Sequence, residues 1–536
     1  MNAIERMTAR IDCFALAAKL FVGLLAICLT TLGSVVAASA SPAIVTQAGP
    51  VKGVQMFGVQ AYLGIPYATP PVGALRWTPP QPHARFKGLF QANHFGSFCT
   101  QPDGSGSEDC LTLNVFTPNI KKNQNKKNPL PVMVWIHGGG LVSGGSFFYD
   151  PSTLVLNGKV IVVTINYRLG LLGFFAHPAI DAEGHLNGNY GLMDQQLALK
   201  WVNDNIARFG GDTHRITIFG ESAGGQSVYA NLASPTAAGM FEGAIAESGA
   251  YVEFQDYWDF IVPLATAEVA GTALATSLGC ASQTAACLRA LSASTVITKD
   301  PGTAYPFVDG TILDQTPTAA FTSGDFNQVP VISGGNHDEW RIFAAGQYDF
   351  AGHPLVTVAD YNAAVLALWG PALDPFILFL YPFAGYPSPG VALGASGTDG
   401  IFACPERNSV RLLSQFVTTY AYEFNDQNAP DLFDPVATFP LGAYHAAEIQ
   451  YLFDFNLRFT GFDPFTPGQQ QLSDAMISYW TTFAATGDPN SPSEPTWSPY
   501  SDTTDQFQSL VPPTPAVEPS FSFDTAHKCS LLWNTF

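Results

Sequence analysis

Short apolar runs separated by longer mixed stretches set the rhythm of this chain. Val132 to Ile136 and Val160 to Ile165 are unbroken apolar or β-branched runs, the pattern of strands buried on both faces. Leu111 to Phe116 predicts another strand, ended by Pro118. Ala43 to Gln60 alternates around Gly49, Gly53 and Gly58, which predicts an N-terminal hairpin. Gly64 to Ala68 and the proline-rich run to Pro82 read as irregular chain packed on a surface. Asp194 to Ala207 predicts a helix, with Leu199, Val202 and Ile206 on one face and Asp194 near its N-terminus. Ile216-Thr217-Ile218 then runs as a strand straight into Gly220-Glu221-Ser222-Ala223-Gly224. Ala244 to Ala246 and Val329 to Ile332 predict two more short strands. Strands alternating with helical stretches predict an α/β chain, with a large, mostly parallel central sheet and helices on both faces. Two helix-leaning excursions, about 250–325 and 345–415, read as insertions over one end of that sheet, so residues 41–536 are expected to form one domain.

Composition narrows the class. Hydrophobic residues make up 47% of the 536 positions, which excludes a disordered or fibrous chain. Only 12% are charged, so the surface must rely on Ser, Thr, Asn and Gln. Net charge is −20 with no basic stripe, which excludes a nucleic-acid partner. The one dense basic run, KKNQNKK at Lys121 to Lys127, reads as a solvated loop between two strands.

Leu20 to Ala38 is apolar and follows Arg6, Arg10 and Lys19. It ends in Ala38-Ser39-Ala40, a small-x-small cleavage pattern before Ser41-Pro42. Residues 1–40 therefore read as a secretory signal peptide, with an uncleaved signal anchor as the alternative. The protein is expected to be secreted, with no stable membrane partner once the signal is removed. Cys13 and Cys28 leave with the signal, and Cys99, Cys110, Cys280, Cys287, Cys404 and Cys529 remain. An even set in a secreted chain points to disulfides, and six cysteines allow about fifteen connectivities. By spacing, Cys99–Cys110 and Cys280–Cys287 would close short polar loops, and Cys404–Cys529 would pin the C-terminal tail. No N-x-S/T sequon with x other than Pro is present, so N-glycosylation is not expected.

The strand that runs into G-x-S-x-G reads as a nucleophile elbow. Glycine at Gly220 and Gly224 lets neighbouring chain approach a serine held in strained geometry, and the following helix aims its N-terminal N–H groups at the same spot. A serine hydroxyl needs a base, a residue to orient the base, and donors for an oxyanion. In the order serine, acid, histidine, the acid candidate is Glu339, in the loop after Val329 to Ile332. Asp338 is its immediate competitor, and local spacing does not separate them. Downstream histidines are His353, His445 and His527. His445 stands between Gly442-Ala443 and Ala446-Ala447, small residues that let a loop carry an imidazole close to other backbone. His353 and His527 read as solvated loop residues. Gly138-Gly139-Gly140, after an apolar strand and upstream of the elbow, supplies bare backbone N–H groups for an oxyanion hole, together with the N–H of Ala223.

The stretches GIPYATPPVGALRW, SEDCLTLNVF, WIHGGG and NYGLMDQQLALKWVNDNIARFGGDTHRITIFGESAGG resemble the type-B carboxylesterase family, which includes cholinesterases and fungal lipases. With the Glu339 and His445 segments, the resemblance spans nearly all of the chain after the signal. It implies an α/β-hydrolase fold, with Ser222 as nucleophile, Glu339 as acid and His445 as base. It further implies Gly139, Gly140 and Ala223 as oxyanion donors, and Ser248 as a neighbour of the triad. It supports Cys99–Cys110 and Cys280–Cys287, while Cys404–Cys529 resembles a pair seen in some branches of the family.

Departures from the family bear on substrate. The loop between Cys99 and Cys110, TQPDGSGSED, carries no tryptophan, so a choline site of the cholinesterase type is not expected. It is also too short and polar to bury an apolar face, so interfacial activation of the lipase type is not expected. Trp340 replaces the family's usual glycine after the acid. The expected activity is hydrolysis of small to medium apolar esters through an acyl-enzyme, with no metal or cofactor needed. One alternative is a lipase or sterol esterase whose aromatic segment Trp369 to Phe383 lines an acyl tunnel. Another is a catalytically silent, cholinesterase-like adhesion protein.

Overall fold

The computed structural model describes residues 40–119, 128–186, 188–252, 261–298, 305–432, 437–454 and 464–533. All but the last residue of the expected signal peptide, and the basic run at 121–127, lie outside the described residues.

A thirteen-stranded sheet runs through the described chain. At one side Ala40–Thr46, Gly49–Met56, Val59–Pro66, Thr112–Pro118 and Ile161–Ile165 pair antiparallel in that order. The expected N-terminal hairpin is thus three strands of a meander, because the turn at Gly58 sends the chain back a second time. From Ile161–Ile165 onward the sheet is parallel, through Leu130–Ile136, Gly211–Glu221, Gly243–Glu247, Val331–Asn336, Thr419–Phe424 and Gln508–Leu510. Ala516–Val517 closes the far edge antiparallel.

The period of two along each central strand sorts side chains onto two cores. Val132, Val134 and Ile136 join Ile216, Ile218, Ala244 and Ala246 on one face. Met133 and Trp135 join Phe219, Ile245 and Ile332 on the other. Both faces are dry, which is why these segments read as unbroken apolar runs. Helix Ala223–Ala233 covers the first face through Val228 and Leu232, and Pro467–Thr486 covers the second through Met476 and Trp480.

Two elements differ from expectation. The helix foreseen from Asp194 is Tyr190–Asn205, and Asp194 lies inside it, buried against the Arg168 guanidinium at 2.8 Å. The strand Thr419–Phe424, sequence TYAYEF, was not foreseen; it is fully buried, so its alternation carries no exposed polar face. The excursions are helical, as expected, and include Leu264–Ser277, Val358–Leu380, Pro389–Gly397 and Cys404–Leu413. Val358–Gly385 is long and apolar enough to cross a bilayer, but Gly370 breaks it and Trp369 packs on Trp533 at 4.8 Å between ring centres. The three expected disulfides, Cys99–Cys110, Cys280–Cys287 and Cys404–Cys529, are all formed.

Register positions the site. Ile136 pairs with Gly220, Glu221 with Glu247, Gly334 with Glu247, and Asn336 with Phe424. Parallel strands in that register end at one edge. The chain leaving them supplies, side by side, His137 to Gly140, Ser222, Ser248 and the Asp338–Glu339 loop, where ligands gather in open α/β sheets.

Candidate active site

The nucleophile strand Gly211–Glu221 ends at Ser222, whose φ of 57° and ψ of −124° lie outside the regions a side chain prefers. The turn holds because neighbouring backbone presses into it. A Cβ on Gly224 would stand 2.0 Å from the Ile136 carbonyl oxygen, closer than any real side chain tolerates. Ser222 N–H donates to the Glu247 carbonyl at 2.9 Å, and helix Ala223–Ala233 begins at once, aiming its first N–H groups back at the serine. The serine side chain is also a hydrogen-bond partner of Tyr251, which donates to Gln226 Oε1 at 3.0 Å.

The glycine loop lies against this turn. A Cβ on Gly138 would come 3.1 Å from the Ser222 Cβ, so only bare backbone fits there. The loop is anchored at both ends. Tyr167 Oη donates to the His137 carbonyl at 2.6 Å, with the two rings stacked at 4.5 Å. Ser143 N–H donates to the Gly139 carbonyl at 2.9 Å. Burial pulls the His137 imidazole down to about 4, so it is neutral packing beside the loop.

His445 sits between the rings of Phe343 and Phe402, at 5.1 and 5.0 Å. Its Nδ1 lies 2.6 Å from Glu339 Oε2. The other oxygen, Oε1, accepts from Ser248 Oγ at 2.6 Å and from Asn336 N–H at 2.7 Å. Three donors thus hold one carboxylate in a single rotamer. Asp338, indistinguishable from Glu339 by local spacing, points elsewhere. It meets the Arg341 guanidinium at 2.7 Å and accepts from Ala443 N–H at 3.0 Å, which ties the acid loop to the loop bearing His445. Trp340 fills the space that Gly397 leaves and packs on Phe343 at 4.7 Å, so it backs one of the rings that flank His445.

Four further carboxyl groups lie buried around this arrangement, and the sequence reading had assigned none of them. Glu221 Oε1 stands 3.2 Å from His445 Nε2, a contact distance without hydrogen-bond alignment. Burial, then Glu339 and Glu247, push the Glu221 carboxyl well above the usual range. Burial, then Glu221 and Glu339, do the same to Glu448, which accepts from Asn336 Nδ2. Burial raises Glu247 to about 8 even though Trp480 Nε1 donates to it at 3.0 Å. Burial likewise raises Glu406 to about 8, against hydrogen bonds from Ser333 and Tyr229. So many carboxyls in a dry space cannot all ionise. The signals were present: Glu221 is the second residue of G-x-S-x-G, and Glu448 follows His445 by one helical turn.

His353 is exposed, as expected. His527 is not a solvated tail residue. It is 2% exposed, because the tail folds back under Cys404–Cys529 and inserts the ring between Asp399 and Glu423. Among the described residues the His/Cys/Asp/Glu group spaced for a metal ion is His337, Glu423 and His527, and it contains neither Glu339 nor His445.

A profile described as the carboxylesterase family matches residues 40–370 and 386–522. An acylcarnitine hydrolase of Mus musculus is 36% identical over 487 residues, covering 84% of this chain and 83% of its own. A cocaine esterase of Homo sapiens is 34% identical over 521 residues, 88% of each chain. Among solved structures, a PNB esterase superposes with a TM-score of 0.74 at 30% identity, covering 91% of this chain and 99% of its own.

Proposed function

This chain belongs to the carboxylesterase family and is a carboxylic-ester hydrolase of the α/β-hydrolase fold, and we propose that it works through an acyl-enzyme on Ser222. In this reading Ser222 Oγ attacks the ester carbonyl while His445 takes its proton. Glu339 holds the tautomer with the proton on Nδ1 and stabilises the imidazolium that forms. The N–H groups of Gly139, Gly140 and Ala223 donate to the oxyanion of the tetrahedral intermediate. His445 then returns the proton to the leaving alcohol, and the same groups activate water for deacylation. The observation that carries this reading is the 2.6 Å contact between His445 Nδ1 and Glu339 Oε2, beside a serine with positive φ. Ser222→Ala is the test. Purified variant and wild type hydrolysing p-nitrophenyl butyrate at equal rates would sink it.

For substrate we propose small to medium apolar esters. The rings of Phe343, Phe402 and Tyr251 beside the site support an apolar acyl or alcohol group. The Cys99–Cys110 loop supports an esterase over an interfacial lipase. Gln101 Nε2 donates to the Gly144 carbonyl at 2.7 Å and Gly144 N–H donates back at 3.1 Å, which bolts the loop to the chain after the glycine loop. A loop so fastened has no apolar face to swing onto lipid. A panel crossing acyl length with alcohol type should show falling rates beyond medium chains; a steep preference for emulsified long-chain triacylglycerol would overturn this. The disulfides and the family fit a secreted or lumenal protein, and we propose secretion after cleavage at Ala40. Appearance of the unprocessed chain in membranes would contradict it.

A further inference from the structure

Beneath the C-terminal tail lies a second convergence of ionisable side chains that ester hydrolysis does not use. His337 leaves the end of strand Val331–Asn336, and Glu423 lies on the neighbouring parallel strand Thr419–Phe424. His527 is brought to them from the tail, just beyond the short helix Ser522–Ala526. One donor atom from each of the three residues lies within 4.8 Å of the others. We propose that His337, Glu423 and His527 bind one divalent first-row transition ion of the zinc type, which staples the tail to the strand ends beside the acid loop.

The donor set selects the ion class. Two imidazoles and one carboxylate suit zinc, whereas calcium and magnesium demand oxygen. The surroundings are those of metal-binding histidines. His527 Nδ1 lies 2.7 Å from Asp399 Oδ1, and His337 Nδ1 lies 3.1 Å from Asp338 Oδ1. Each carboxylate fixes its ring in the tautomer that presents Nε2 to a metal, the outer-sphere arrangement that orients such ligands. His527 Nε2 faces Glu423 Oε1 at 2.5 Å, and among the described residues His337 Nε2 meets no protein partner. Ligand atoms bound at about 2.0–2.2 Å to a tetrahedral ion lie about 3.3–3.6 Å apart, so binding requires His337 to swing inward and the hydrogen-bonded pair His527–Glu423 to part enough to admit the ion. Its side chain is 37% exposed, which gives the ion an entry path and leaves the fourth position to water. Binding replaces the proton between His527 Nε2 and Glu423 with the ion, and that proton leaves to solvent.

The full chain, without an affinity tag and with disulfides intact, is stripped with EDTA, mixed with ZnCl2, passed over a sizing column and analysed for metal. Wild type should retain one zinc ion per chain, and zinc should raise its melting temperature by several degrees. His337→Gln, at a half-exposed position chosen to spare the core, should lose both the retained ion and the shift. His445→Gln and His353→Gln should retain both, which separates this cluster from the Ser222 site and from surface histidines. Wild type retaining less than a tenth of an ion per chain would overturn the proposal. So would retention by His337→Gln equal to that of wild type.

Discussion

Two buried histidines in this molecule share half of their environment and differ in the other half. His445 and His527 each set Nδ1 against a carboxylate, Glu339 at 2.6 Å and Asp399 at 2.7 Å. At His445 the second nitrogen meets Glu221 Oε1 at 3.2 Å without hydrogen-bond alignment, with the rings of Phe343 and Phe402 beside it. At His527 the second nitrogen is closed off by Glu423. Burial pulls the His527 imidazole down, but Glu423 and Asp399 outweigh it and raise it to about 10. With no ion bound, a histidine hydrogen-bonded at both nitrogens to acids keeps its proton and acts as an anchor. A histidine held by one carboxylate, its second nitrogen meeting the other only out of hydrogen-bond alignment, is free to pass a proton on in the proposed mechanism. The difference between them lies in the second nitrogen's partner, not in burial. Glu339 and Glu423, one carboxylate partner of each, both line a small cavity with Ser248, Phe402, Glu406 and Phe523.

Exchanging each ring for a neutral one separates these roles most strongly. His445→Gln should lower kcat on p-nitrophenyl butyrate on the order of 10⁴-fold, with the fold intact by circular dichroism. A loss below tenfold would remove His445 from the chemistry. His527→Leu should leave kcat within about tenfold but cost about 3–5 kcal/mol in urea unfolding, because Asp399 and Glu423 lose their buried counter-charge. EDTA in the unfolding buffer keeps bound metal out of that comparison. A cost below about 1 kcal/mol would mean that the tail histidine anchors nothing.

The cavity lined by Glu339 and Glu423 supplies a pH test. Glu406 is raised by burial to about 8 in the folded chain, above its unfolded value. Its contribution to stability is therefore complete below the unfolded value and lost as pH rises through 8. Between pH 5 and 8 the stability of Glu406→Gln should fall less steeply than that of wild type, by up to about 1.4 kcal/mol per pH unit. Parallel curves would place the proton elsewhere among the buried acids. The smallest effect is expected at Ser248. Its hydroxyl donates to Glu339 Oε1 at 2.6 Å, and Ser248→Ala should lower kcat about tenfold with KM unchanged, since one hydrogen bond to a charged group is lost. An unchanged kcat would show that Asn336 N–H and His445 suffice to hold the acid.

The same contrast explains what could be read from the sequence. The elbow and the glycine loop are contiguous and ordered by local sterics, so Gly138, Gly220, Ser222 and Gly224 announce themselves. The apolar runs report a sheet dry on both faces, and the strands were visible where those runs were unbroken. Thr419–Phe424 offers no unbroken apolar run, and its tyrosines are buried by Trp480 and Trp497 from farther along the chain. Glu339 could not be told from Asp338 by spacing, because the choice depends on Ser248 and Ala443, both distant in sequence. His527 was misread for the same reason, its partners lying 128 and 104 residues away. Trp340 makes sense only once Gly397 is seen beneath its ring. Long-range pairing, rather than residue type, hid each of these.

The central claim is that Ser222 carries the acyl group, and covalent labelling tests it most directly. Wild type treated with a p-nitrophenyl phosphonate should gain one phosphonyl group per chain, with activity lost in proportion. Peptide mass analysis should place that group on Ser222 within the tryptic fragment that begins at Ile216. Complete inactivation with the label on another residue, or no label at all while hydrolysis continues, would contradict the account.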